Sequence, residues 1–237
     1  MQFSFLTLFP NLISSYFEDS ILKNAIKKKL IQIHISNIRD YATDKHQKAD
    51  YPQIGGSAGQ VLRPDIIQKA LKNIPDPKHI IFLTPTATRF THNDSIRLSF
   101  EKHIVLVCGR YEGFDERCIE MCADEVFSIG DFILTGGELP ALCLCDSISR
   151  QIKGVLGNPQ SLIGESFQSH LLEAPNFSRT LNLEKNFEKF FPPSEYSKGN
   201  HSKIKELKNS LAILKTQYFR PDLYQKWKAT KKAYNEK

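Results

Sequence analysis

At 237 residues the chain is long enough for one sizeable domain and a smaller companion, and its 41% apolar and 24% charged residues exclude overall disorder. The formal net charge of +6 is unevenly spread: residues 1–177 hold 18 Lys and Arg against 20 Asp and Glu, whereas residues 178–237 hold 14 against 6. A near-neutral body with a basic arm is the pattern of a polyanion binder, a solvated pair of basic helices is the bland alternative, and interleaved acids make membrane-surface binding the weaker reading.

The elements follow in chain order. "FSFLTLF" (Phe3–Phe9) predicts a short buried strand. From Asn11 to Lys29 apolar residues recur close to helical spacing, and the closing "KKK" suits the negative end of a helix dipole. In "IQIHISNI" Ile31, Ile33 and Ile35 share one side, a strand signature, and a polar loop runs from Asp40 to Gly59. A helix is predicted over Pro64–Asn73, a strand in "HIIFLTP", a helix over Asn93–Lys102, and a central strand in the unbroken apolar run "HIVLVCG". Asp115–Cys122 reads as helix, "EVFSIGDFIL" as strand and loop, and Glu138–Gln151 as helix. Alternating strands and helices give the fold class α/β with a mainly parallel sheet.

Residues 154–199 break this order with most of the late Gly, Pro, Asn and Ser, and read as linker and loops. His201–Lys237 then reads as two basic helices parted near Arg220 and Pro221. The start of the chain lacks a basic region ahead of its apolar run and carries Pro10, unlike a secretory signal, and no run reaches membrane-spanning length. A soluble cytoplasmic protein, with no membrane partner, is therefore expected. Cys108, Cys118, Cys122, Cys143 and Cys145 form no metal-type or redox-type pair and read as reduced, mostly buried thiols, so no metal-ligand set is expected among them.

In an open parallel sheet, ligands sit beyond the carboxyl ends of the strands, where loops offer main-chain N–H and C=O groups. Three loops hold that position: "LTPTATR" (Leu83–Arg89), "CGRYEGFDER" (Cys108–Arg117) and "SIGDFILTGGELP" (Ser128–Pro140). None carries the glycine fingerprint of a dinucleotide fold or the Gly-Lys-Ser/Thr of a triphosphate loop. An adenosyl group without phosphates remains, because adenine asks only for amide and carbonyl partners and an apolar slot. A plain tight turn before a helix is the competing reading of the two adjacent glycines.

The strings "LTLFP", "IRDYATDKH", "GGSAGQVLRP", "VCGRYEGFDER", "SIGDFILTGGELPAL", "GVLGNPQS", "ESF" and "SKGNHSKI", in this order, resemble the bacterial TrmD family of tRNA (guanine-N1)-methyltransferases from Met1 to about Leu223. The resemblance implies the SPOUT class, an α/β domain ending in a trefoil knot, with a small α-helical C-terminal domain. Its divisions fall at residues 1–157 for the methyltransferase domain, 158–176 for a linker and 177–237 for a basic tRNA-binding domain. It also implies a homodimer with an active site shared between chains, S-adenosylmethionine as methyl donor, tRNA as substrate, methylation of the guanine just 3′ of the anticodon (position 37), and compatibility with magnesium.

Residue by residue, the resemblance assigns cofactor binding to Leu83, Thr84 and Pro85, to Gly109 and Gly113, and to Ile129, Gly130, Asp131, Phe132, Ile133, Leu134, Gly136 and Gly137. Glu165 takes the place of the aspartate that acts as general base, one methylene longer, with Glu112 as a second acid. Arg150 matches an arginine that assists the guanine. RNA contact falls to His46 and Asp50, and to Lys198, Asn200, His201 and Lys203. The chain departs from the family pattern in lacking a proline after Arg179 and an aromatic residue at Ala174, and in reading "QIGGSAG" where a tyrosine and a third glycine are common. Another SPOUT RNA methyltransferase, or an RNA-binding module without catalysis, are the alternatives.

Overall fold

A computed structural model describes residues 1–56, 58–162, 164–178 and 192–235. The chain divides into two compact units, Met1–Pro159 and Gln160–Lys237. The expected entry into the basic segment, residues 179–191, lies outside the described residues.

In the first unit five strands form one parallel sheet: β1 (Gln2–Thr7), β2 (Gln32–Asn37), β5 (His79–Arg89), β6 (His103–Cys108) and β7 (Glu125–Ser128), in the order β2-β1-β6-β5-β7. Alternation along each strand divides the core between the two faces of the sheet. Phe3, Phe5, Ile104 and Leu106 pack on one face with α1 (Pro10–Ser14), α2 (Ser20–Lys27) and α6 (Glu138–Ser149), whereas Leu6, Phe82, Val105 and Val107 pack on the other with α3 (Pro64–Lys72) and α5 (Glu116–Cys122). Every residue of β6 is buried, as its unbroken apolar run predicts for a strand covered on both faces. The remaining helix, α4 (His92–Leu98), opens on a capping box between Thr91 and Asp94.

Three elements differ from the sequence reading. The expected helix over Asn11–Lys29 is two helices, with Pro10 at the head of α1 and an extended Asp19 as the N-cap of α2, its carboxylate accepting from the Ser20 N–H at 2.6 Å. The polar loop Asp40–Gly59 contains strand β3 (Asp50–Pro52), which pairs antiparallel with β4 (Gln60–Leu62) around a glycine-rich tip. Strand β5 runs past its expected end: Leu83 and Thr88 both pair with Phe127, so residues 84–87 bulge out of the strand before it resumes.

The second unit holds α7 (His201–Phe219) and α8 (Pro221–Asn235), the two expected basic helices; residues 236 and 237 lie outside the described residues. Asn200 caps α7 by accepting from the Lys203 N–H at 3.2 Å, and Pro221 opens α8, keeping Arg220 out of the helical conformation. Cys108, Cys118 and Cys145 are buried, Cys122 half-buried and Cys143 exposed, all as free thiols. Among the described residues no helix is long and apolar enough to cross a membrane.

At the amino ends of β5 and β7, Arg97 grips Glu125 with two hydrogen bonds of 2.9 and 2.6 Å, and His79 meets the same carboxylate at 2.6 Å. Burial alone would raise the Glu125 carboxyl, but these two partners outweigh it and hold it below its ordinary value. A carboxyl depressed in the folded state stabilises the fold above its unfolded value, and this contribution is lost as pH falls through the folded one. Glu125→Gln is therefore expected to lower the melting midpoint at neutral pH by a few degrees and to flatten the loss of stability between about pH 5 and 3, read by thermal melts across that range.

Candidate active site

The three loops meet at the carboxyl ends of β5, β6 and β7 around a pocket of about 250 Å³. The first loop is the bulge in β5, where the Thr84 and Thr86 hydroxyls lie 3.1 Å apart. The second turns sharply, with Tyr111 and Gly113 both at positive φ and the Gly113 N–H donating to Arg110 O at 3.0 Å. It is also sewn to the β3–β4 hairpin, since the Glu112 N–H donates to Gln60 O and the Leu62 N–H to Gly113 O. The third loop lies directly on the second: the Gly137 N–H donates to Gly109 O at 2.8 Å, and a Cβ on Gly137 would stand 2.7 Å from the Gly109 nitrogen and 2.9 Å from the Cys108 Cα. Only glycine permits this approach.

Twelve of the thirteen residues expected to hold a cofactor line this pocket. The exception is Asp131, whose carboxylate turns out to Arg89 in an exposed ion pair. The lining also includes residues that motif reading passed over, among them Thr86, Arg110, Tyr111, Ser128 and Thr135, each next to an assigned position. Apolar walls come from Leu83, Phe127, Ile129 and Leu134, and the polar lining is mostly main chain and hydroxyl. Arg110 and Glu112 are the charged members. Arg110 is engaged, paired with Glu138 at 2.9 Å and donating to Thr135 O at 3.0 Å. Cys108, beneath the Gly109 turn, has its thiol pushed well above its ordinary value by burial, with the Glu138 charge adding to the effect, so it is no nucleophile at neutral pH.

The pocket suits a ligand held by its edges. No lysine stands among the lining residues to meet phosphates, whereas amides, carbonyls and hydroxyls surround an apolar slot. Ile133 and Phe132, 80% and 53% exposed on the third loop, offer apolar surface at the mouth.

Within the first unit, Arg150, His46 and Asp50 are not among the lining residues. Arg150 is the C-cap of α6, a helix whose first turn borders the pocket through Pro140. At about 1.5 Å of rise per residue, Arg150 is on the order of 20 Å along the axis from Gly137, beyond the reach of an arginine side chain. His46 is exposed in a tight turn, and Asp50 opens β3 opposite Leu62. That turn is held by Asp44, which accepts from the Lys48 N–H and pairs with Arg63, and by Arg39, which donates to Gln47 O and to the Tyr111 hydroxyl. The Lys48 N–H, with Arg63 adding, keeps the Asp44 carboxyl below its ordinary value. Arg39 thereby ties the turn carrying His46 to the second pocket loop, a link with no local sequence signal.

In the second unit Glu165 sits in a compact turn. Gln168 braces it by accepting from the Gly164 N–H at 3.0 Å and donating to Leu162 O, and the Phe167 N–H closes it on Leu171 O at 2.8 Å. Lys198 pairs with Glu195 at 3.0 Å, Asn200 is the cap described above, and His201 and Lys203 are exposed on the first turn of α7.

The family described as tRNA (Guanine-1)-methyltransferase TrmD matches this chain over residues 1–226. A tRNA (guanine-N(1)-)-methyltransferase of Helicobacter hepaticus is 61% identical over 228 residues, covering 96% of this chain and 94% of that protein. Proteins of the same name from Helicobacter pylori and Campylobacter curvus are 57% and 53% identical, the first over 97% of this chain and all of that protein, the second over the full length of both.

The Gly109–Gly137 contact yields a direct test. Gly137→Ala is expected to push the third loop off the second, to cost a few kcal/mol of stability, and to abolish ligand binding in the pocket, whereas Gly157→Ala, where a Cβ meets nothing within 4 Å, leaves both unchanged. Thermal melts and calorimetric titration with S-adenosylhomocysteine read the two effects.

Proposed function

Since the chain belongs to the tRNA (guanine-1)-methyltransferase TrmD family, we propose that it is an enzyme that transfers a methyl group from S-adenosylmethionine to N1 of the guanine just 3′ of the anticodon of tRNA, position 37. The observation that carries this reading is the convergence of three separate loops on one pocket walled by main chain. S-adenosylmethionine held there supplies an electrophilic methyl on a sulfonium centre. Leu83, Ile129 and Leu134 form the apolar slot for its adenosyl part, the amides and carbonyls of the second and third loops read the adenine edge, and the Glu112 carboxylate complements the positive charge.

As guanine N1 takes the methyl carbon, its proton must leave. Glu165 accepts that proton, and Arg150 donates to O6, where charge gathers as N1 is deprotonated. The distance between Arg150 and the pocket of its own chain supports a homodimer in which one chain brings the cofactor loops and the other brings these residues. Phe9, Leu12 and Tyr16 on and beside α1 and Leu139 on α6, all exposed, supply an apolar surface for that pairing. The SPOUT trefoil knot, supported by the third loop lying across the second, belongs to the same reading, as does a place in the cytoplasm with the tRNA pool.

The lysines of α7 and α8 give the second unit its polyanion surface. Lys203, Lys205, Lys208, Lys226, Lys228, Lys231 and Lys232 are exposed, and tRNA phosphates are their partner together with Lys198, Asn200, His201 and His46, while Asp50 accepts from a ribose hydroxyl or a base amino group. The resemblance extends to magnesium, so excess EDTA is expected to slow transfer while leaving cofactor binding intact.

Single-turnover methyl transfer to a tRNA carrying guanine at position 37 tests the proposal. Glu165→Gln is expected to lower the rate about a hundredfold or more with cofactor affinity unchanged. Unchanged transfer would move the proton to Glu112 or water, and no transfer by the native chain would leave an RNA-binding module.

A further inference from the structure

Behind the pocket, meeting its lining at Arg110, lies a buried polar chain that the reaction itself does not use. Thr7, the last residue of β1, is 0% exposed, and its hydroxyl donates to Glu138 Oε1 at 2.6 Å while accepting from the Phe9 N–H at 2.9 Å. Glu138, 2% exposed, opens α6 directly after the Gly136-Gly137 pair, where its charge also faces the positive end of the helix. Its second oxygen meets Arg110 at 2.9 Å, and Arg110 in turn donates to Thr135 O at 3.0 Å and lies over the Phe9 ring at 4.5 Å.

We infer that Thr7 and Glu138 are positioning residues for the methyl-donor pocket: through Arg110 they fix the second and third loops against each other, and so set the affinity for S-adenosylmethionine. A carboxylate this deeply buried is tolerated only when its charge is compensated, and here Thr7 hydrogen-bonds one oxygen while the other, which accepts no hydrogen bond from the described residues, is held by the Arg110 charge alone, each partner coming from a different segment of chain. Thr7 anchors one oxygen to the sheet and Arg110 anchors the other to the second loop. Between them Glu138 has one position, and Gly136, Gly137 and Pro140, all lining the pocket, are carried with it. A Cβ on Gly136 would collide with the Arg110 guanidinium and stand 2.6 Å from Glu138 Oε2, so the third loop is fitted to the ion pair.

The inference rests on the reading of the pocket as the methyl-donor site, and the test separates the two. Thr7→Val keeps the shape of the side chain but removes both hydrogen bonds, leaving a buried Glu138 oxygen and the Phe9 N–H without partners, whereas Thr7→Ser keeps both. S-adenosylmethionine affinity is measured by calorimetry on the full-length chain, with KM for each substrate, kcat and the melting midpoint measured alongside. The expected result is that Thr7→Val raises Kd and KM for S-adenosylmethionine about tenfold or more, leaves KM for tRNA within about twofold, and that Thr7→Ser restores the native values. Equal affinity in native and Thr7→Val chains overturns the inference, as does a loss that Thr7→Ser shares, or a rise in both KM values together with a fall in the melting midpoint, which marks a general loosening. A native chain that does not bind S-adenosylmethionine at all overturns the pocket reading and the inference with it. Should Thr7→Val fail to fold, Glu138→Gln, which keeps an acceptor for Thr7 but discharges the partner of Arg110, carries the same expectation.

Discussion

The contact on which the site depends is main chain against main chain, where the third loop crosses the second at Gly137 and Gly109. The 2.8 Å hydrogen bond between them leaves no room for a side chain, and both glycines, with Gly113, Gly130 and Gly136, stand among the residues that line the pocket. A pocket built this way discriminates by hydrogen-bonding edge and shape. It has little to offer a phosphate, because its arginine is already committed to Glu138 and no lysine lines it. The absence of any phosphate-gripping motif from the sequence and the adenosyl chemistry proposed for the site have this one cause.

That crossing needs a rigid floor, and the sheet provides it. Strand β6 is buried along its whole length and lies between β1 and β5, so the turn at Gly109 leaves the most constrained strand of the unit. The neighbouring β5 supplies the first loop without ending: Leu83 and Thr88 hold the same partner, Phe127, and the four residues between them are pushed toward the pocket from both sides. A loop anchored at both ends in one strand pair loses less entropy on ordering over a ligand than a free connection of equal length. The apolar mouth residues Phe132 and Ile133, by contrast, are exposed, and covering them is a gain left for ligand or substrate.

Much of this was legible in the sequence, for reasons that differ between the parts. The order of strands and helices followed from periodicity, since β1, β2 and β6 alternate or run apolar as their burial demands. The break at Asp19 was hidden because the apolar spacing continues across it. The hairpin of β3 and β4 was missed because three-residue strands beside glycines carry too little pattern to register. In the site, the expected cofactor positions rested on resemblance to the family's motifs, and twelve of the thirteen line one pocket. Thr7 and Glu138 could not be read, because 131 positions separate them and a buried hydroxyl–carboxylate contact leaves no local period. Asp131 stands inside the motif, but its side chain turns outward to Arg89, a pairing across 42 positions that leaves no local signal.

The second unit joins two tasks that the sequence shows only as neighbours. The turn carrying Glu165 is fastened to α7 by the Leu172 N–H, which donates to the Thr216 hydroxyl at 2.8 Å, and that hydroxyl, fully buried, donates in turn to Ala212 O at 2.6 Å. The helix that receives this bond also carries Lys203, Lys205 and Lys208 on its exposed face. In the proposed reaction the helix that engages phosphates and the carboxylate that takes the proton therefore move as one piece.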